Sequence, residues 1–420
     1  MLFVEDQGMS MSIGRRALTY ALGTIALGYL GIGFGCLVFD TRFSYPIDLR
    51  LRWIEEKLVV SGIDPQAAGH TEAELPDTHK GMKNLGGGYP PWSYATGIVL
   101  YPPIPWNALR WYFAGECAIA FGLIVWWVRR IDPGRSTENG LLYVVSIGAM
   151  FPIAICVSYG QYTVIAAACL ALSLLALERG RDACAGIFLG IALAKPHTAG
   201  LFLLVLLIRG RFKALAFAAG YLIVASCIVW ALVGNDPLTL FNNAAKEAAT
   251  SSTAAIYQSV SVNPFTAPLS DALGPKVSTL VLAASGTLAT IILLIICRRI
   301  GAPLLIDYSV CAVVSMYWSY RKNYDAVLLF LPLVALLCIC LRTRSKISWV
   351  MFALFGLTVW LPIRDEQWQW PIIQYSDLVI WLLGLASMIW HVRTNVEGPS
   401  DPKPLSAPLP TQRPAGRATS

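Results

Sequence analysis

A small set of polar residues falls in or beside loops that share one side of the apolar runs of this chain: Asp40, Asp48, Asp64, Gln161, Lys195, His197, Gln258, Asn263, Arg321, Lys322 and Asp325. A fixed carboxylate among them can take a proton from an attacking hydroxyl. Cations such as Lys195, Arg321 and Lys322 can stabilise charge that grows on a phosphate. Gln161 and Gln258 can hydrogen-bond ligand hydroxyls or satisfy loop backbone. Each residue also has a plainer reading. Asp48 stands where a helix cap belongs, and Lys195, beside Pro196, can be a turn residue snorkelling to headgroups. His197 suits hydrogen-bonded packing as well as it suits a site. Other chemistries lack their spacing: no glycine pattern opens a helix after a strand, no His-x-x-x-His or paired Cys suggests zinc, and the four histidines make no cluster. Neither a metal nor a cofactor is indicated.

The elements that position these residues are expected in a membrane. Of 420 residues, 56% are hydrophobic and 14% charged, against roughly 25% charged in a soluble domain. Lipid must therefore cover much of the outside. The net charge of +7 does not mark nucleic-acid binding, because Arg and Lys recur as short groups at the ends of apolar runs, such as Arg15-Arg16, Arg129-Arg130, Arg298-Arg299 and Arg342 with Arg344. From a cytoplasmic N-terminus these groups all fall inside, which satisfies the positive-inside rule. The first run is long and lacks a small-residue cleavage site, so it reads as a retained helix.

Apolar stretches give about twelve candidate spans. The runs 183–194 and 198–208 are each too short to span upright. Basic residues flank both ends of the pair, Arg179 and Arg181 before it and Arg209, Arg211 and Lys213 after, so the segment must go in and come back with Lys195-Pro196-His197 at its turn. Residues 141–177 form a hairpin by the same logic, with Tyr159-Gly160-Gln161 at the outer tip. Two outer loops are long, 40–106 and 234–276. In the first, Leu51, Trp53, Ile54 and Leu58 recur at helical spacing and predict an amphipathic interfacial helix. Tyr89-Pro90-Pro91-Trp92 and Tyr101 to Trp106 bound a second interfacial piece. The expected architecture is an all-α polytopic membrane protein. A single transmembrane domain covers 1–391, both termini are cytoplasmic, and a Pro-rich tail over 392–420 is disordered.

In their order along the chain, these motifs resemble glycosyltransferase family 87, the polyprenyl-phosphate-mannose-dependent mannosyltransferases of the GT-C superfamily. The resemblance is carried by Asp48, Gly62-Ile63-Asp64-Pro65, Tyr89-Pro90-Pro91, Gly160-Gln161, Ala185-Gly186-Ile187 leading to Lys195-Pro196, Gln258-Ser259, and Trp318 to Asp325. It implies a GT-C-like fold and hexosyl transfer, with mannose the expected sugar, from a polyprenyl-phosphate donor to a lipid or glycan acceptor. It further implies inversion, on the extracytoplasmic face of an inner membrane of bacterial type, with an Asp of the first loop as base. Asp48 then takes the proton, with Asp40 its rival. Lys195, Arg321 and Lys322 hold the donor phosphate, while Gln161, Gln258, His197 and Tyr89 contact sugar or acceptor. The competing reading is a secondary transporter or a flippase for lipid-linked glycans. That reading predicts an internal repeat and polar residues at the bilayer midplane, and the sequence shows neither.

Overall fold

A chain that lives in lipid must satisfy its backbone internally, and this one does so with helices. The computed structural model describes residues 13–39, 47–68, 89–131, 137–250, 264–318, 322–362 and 371–396, and among these every regular element is helical. In chain order they are α1 (Ile13–Phe39), α2 (Ile47–Val60), α3 (Pro65–Ala68), α4 (Pro91–Leu100), α5 (Trp106–Ile131), α6 (Thr137–Gly148) and α7 (Phe151–Tyr159). There follow α8 (Thr163–Glu178), α9 (Asp182–Ala192), α10 (Pro196–Ala199), α11 (Phe202–Ile208), α12 (Phe212–Val233) and α13 (Pro237–Thr250). The chain continues through α14 (Thr266–Leu273), α15 (Pro275–Arg299), α16 (Leu304–Trp318), a 3₁₀ turn (Asn323–Leu329), α17 (Phe330–Thr343), α18 (Lys346–Trp360) and α19 (Pro371–Val396).

Each expected apolar run lies in helix, but the helices differ in reach. Six are long and apolar enough to cross a membrane by themselves, among the described residues, and α6 with α7 makes a seventh if that pair, bent by 53°, is one span. Helices α8, α9, α16 and α18 are shorter apolar pieces. The expected count of spans was therefore a count of helices, several of which pack inside the bundle. Helix α19 runs on to Val396, past the expected boundary, and the rest of the tail lies outside the described residues.

The centre of the bundle is α8, α16, the 3₁₀ turn and α17, whose side chains are almost all buried. Around it stand helices with lipid-like outer faces: α12 exposes Phe212, Ile223 and Trp230, and α15 exposes Leu280 and Leu288. The in-and-out reading of the segment around Pro196 is reproduced. Arg211 at the start of α12 lies 3.6 Å from Asp182 at the start of α9, so the chain returns to the level from which it left. Pro196 opens α10 as a helix-starting proline. Arg209 is tied at the same end, its Nε donating to Asp307 at 2.6 Å and a terminal nitrogen to the Ala302 carbonyl.

One end of the bundle therefore carries Arg209 and Arg211 with their carboxylate partners, and the other carries the turns that hold Gln161, Lys195 and Asp325. With a rise of about 1.5 Å per residue, α8 separates the two ends by no more than about 24 Å, less than a hydrocarbon core of about 30 Å. The turns are recessed below the level that a full span would reach.

Candidate active site

Asp48 sits in the first turn of α2, one residue inside the helix rather than at its cap. Its partner comes from elsewhere in the fold: Gln161 Nε2 donates to Asp48 Oδ2 at 2.5 Å. The carboxylate is half-buried, and among the described residues its other oxygen accepts no hydrogen bond.

Gln161 is placed by the end of α7. Gly160 takes the left-handed conformation there, with φ 70°, and its N–H and that of Gln161 bond the Val157 and Cys156 carbonyls, a helix-ending pattern that needs glycine. Space is also short, since a Cβ on Gly160 would clash with the Leu49 side chain. Gly160→Ala is expected to cost about 1–2 kcal/mol in backbone strain and about 1–3 kcal/mol more in overpacking. It should also lower turnover, because Leu49 adjoins Asp48. Thermal unfolding in detergent and the transfer rate check both parts.

Lys195 is not the outward-facing turn residue expected. Its side chain is 1% exposed, because α4 closes over the end of α9: Trp92 Nε1 and Ser93 Oγ donate to the Leu193 and Ala194 carbonyls at 2.9 and 2.6 Å. The ammonium donates to Asp325 Oδ1 at 2.6 Å, Thr163 Oγ1 at 2.9 Å and Gln161 Oε1 at 3.3 Å, and it lies 4.5 Å from the centroid of the Tyr324 ring. Its three protons are all engaged within the protein, and none is left for a phosphate.

This arrangement orients Gln161. An ammonium only donates, so the amide must turn its oxygen to Lys195 and its NH₂ to Asp48. Asp325, also 1% exposed, is fixed in turn by the 3₁₀ segment, its Oδ2 accepting from the Lys322 backbone N–H at 3.2 Å. His197, about one third exposed, brings Nε2 within 3.8 Å of the same oxygen. The Lys322 ammonium stands 5.9 Å from the Tyr324 ring.

The spacing argument did not single out Arg52, one turn beyond Asp48 on α2. Its guanidinium pairs with Glu55 at 2.7 Å and covers the Tyr89 ring at 3.6 Å. Burial pushes the Tyr89 phenol up to about 12, against the pull of Arg52, so it stays a neutral donor. Nor is α2 an ordinary amphipathic helix, since its polar side is covered too. Glu55 and Glu56 are each 1% exposed. Burial first, and Glu55 second, hold the Glu56 carboxyl well above the usual carboxylate range. Glu56 fits against α4 only because Gly97 has no side chain; a Cβ there would meet its carboxylate. Arg52, Glu56, Tyr89, Tyr101 and Tyr162 line a narrow cleft. Glu56 Oε2, Tyr101 OH and Tyr162 OH are buried along it with no hydrogen-bond partner among the described residues.

The structure thus brings together Asp48, Gln161, Lys195 and His197, with Tyr89 and Lys322 at the margins. Asp64 lies apart, binding the Gln66 N–H and the Asn243 amide, as a turn residue does. Asp40, Gln258, Asn263 and Arg321 lie outside the described residues. Asp325, Thr163 and Tyr324 complete the network; their charge and polarity were visible in the sequence, but not their convergence.

A helical bundle with a lipid-like outer surface defines a polytopic membrane protein, and a half-buried carboxylate is fixed at one of its ends. The model of glycosyltransferase family 87 matches residues 88–361, well over half of the chain, and the protein belongs to that family. The match includes Tyr89, Gln161, Lys195, His197, Lys322 and Asp325, whereas Asp48 and Arg52 precede it. Comparison with curated proteins finds no match.

Proposed function

We propose that this membrane glycosyltransferase moves a hexose, mannose in our reading, from a polyprenyl-phosphate donor to a lipid or glycan acceptor. Transfer takes place on the extracytoplasmic face, with inversion and with Asp48 as the base. The observation that carries the reading is the Asp48 carboxylate, one oxygen of which accepts no hydrogen bond among the described residues, held in place through Gln161, Lys195 and Asp325 at the end of the bundle opposite Arg209 and Arg211.

In one displacement, the acceptor O–H gives its proton to Asp48 as its oxygen bonds the anomeric carbon. The bond from that carbon to the phosphate oxygen breaks, and polyprenyl phosphate leaves with the electron pair. Charge grows on the leaving phosphate, and outward cations there lower the barrier. Lys322, with Arg321 beside it in sequence, suits that task. Lys195 suits a different one, holding Gln161 and Asp325. The recessed level of the site favours a substrate anchored in lipid over one arriving from water, and the positive-inside rule supports the outer side.

The decisive assay gives the purified protein labelled polyprenyl-phosphate-mannose with membrane lipids or glycans as acceptors. Product of inverted configuration is expected, and transfer from a nucleotide-linked sugar alone would overturn the reading. The unpartnered phenols of the cleft add a sharper expectation. A buried hydroxyl that makes no hydrogen bond costs nothing to remove, so Tyr101→Phe and Tyr162→Phe should unfold no earlier than wild type. If substrate hydroxyls bind there, each variant should raise KM about tenfold, in line with about 1–1.5 kcal/mol per hydrogen bond. Unchanged KM in both would place the substrate elsewhere.

A further inference from the structure

At the arginine-bearing end, remote from Asp48, the ends of α5, α8, α16, α17 and α19 enclose an open pocket of about 320 Å³. Leu305, Ile306, Ala335 and Ile339 make its wall apolar, and Arg130, Arg342 and Glu178 stand on its rim. Two other arginines of this end are committed to carboxylates, Arg209 to Asp307 and Arg211 to Asp182. Among the described residues, Arg130 and Arg342 have no ion pair; the Arg130 guanidinium lies 5.2 Å from the Trp126 ring, an aromatic of the kind found at headgroup depth. Glu178 is exposed and feels the guanidinium of the adjacent Arg179, but makes no close ion pair among the described residues. His391 also lines the pocket but is occupied, its Nδ1 with the Ser387 carbonyl at 2.8 Å and its Nε2 with the Ser348 hydroxyl at 3.1 Å.

An apolar wall below a rim of unpaired guanidinium groups matches a lipid, acyl chain against the wall and phosphate at the rim. The carboxylate makes the match narrower. Glu178 repels a headgroup with further negative charge and attracts one that carries an ammonium. We propose that this pocket holds a phospholipid whose headgroup joins a phosphate to an ammonium, of the phosphatidylethanolamine type. Arg130 and Arg342 take the phosphate and Glu178 the ammonium. The assignment rests on the membrane location of the bundle and is independent of the role of Asp48.

The test is native mass spectrometry of the full-length protein in detergent, offered phosphatidylethanolamine and phosphatidylglycerol in equal amounts, with inorganic phosphate as a separate competitor. Wild type is expected to retain the ethanolamine lipid about fivefold over the glycerol lipid. Arg130→Gln and Arg342→Gln, singly and together, should lose that retention, and Glu178→Gln should bring the glycerol lipid to parity. All three positions are exposed, so the variants should fold. Undiminished retention in the double arginine variant would overturn the site. Parity of the two lipids in wild type would overturn the headgroup assignment, and displacement of the lipid by inorganic phosphate would show that the rim binds free anions instead.

Discussion

Asp48→Asn is expected to slow sugar transfer by about 10²–10⁴-fold, the usual contribution of a positioned base, while the protein unfolds at an unchanged temperature. Asparagine preserves the shape of the side chain, and its single oxygen can still accept the Gln161 Nε2 that now binds Asp48 at 2.5 Å. What it cannot do is take a proton. The atom left facing the acceptor becomes an NH₂, which donates where the attacking hydroxyl also needs to donate. Loss should therefore fall on kcat, with KM for donor and acceptor little changed, since the interaction is made only as the proton moves. Asp40→Asn in the same assay separates the two carboxylates. A wild-type rate in Asp48→Asn, with loss in Asp40→Asn, would transfer the role of base to Asp40. The test matters because Asp48 precedes the family-matched segment, residues 88–361; its assignment stands on its contact with Gln161.

That contact shows what a sequence displays and what it conceals. Helices were legible because apolar runs must bury or meet lipid, and the arginine groups marked the runs that end on one side. The return of the chain around Pro196 was legible for the same reason, and the Asp182–Arg211 approach bears it out. Convergence was not legible. Lys195 and Asp325 lie far apart along the chain, and no local pattern says that they pair at 2.6 Å. A lone lysine at membrane depth suggested an anion, and it does have one, but the anion is the protein's own carboxylate. Helix α2 misled in a related way. Its period announced an amphipathic helix, yet period cannot tell water from a second protein surface, and α4 with its Gly97 covers the side on which Glu56 lies.

Lys195→Met should be the most destabilising single change in the site, by about 3–5 kcal/mol, because it leaves Asp325 buried without its counter-ion. Asp325→Leu should cost a similar amount by stranding the ammonium. Burying two charges is itself expensive, so replacing both with apolar groups of comparable volume often costs little. The double variant Lys195→Met with Asp325→Leu is accordingly expected to recover most of the lost stability, measured by thermal unfolding in detergent. Activity should not return with it. Without an ammonium to hold Oε1, the Gln161 amide is free to turn, and Asp48 loses the donor that fixes its carboxylate. A lysine acting on the donor phosphate would behave differently: Lys195→Met would raise KM for the donor at nearly unchanged stability, and Asp325→Leu would not share the effect. Stability that couples the two residues, combined with transfer that stays low in a refolded double variant, identifies Lys195 as the residue that positions the base through Gln161.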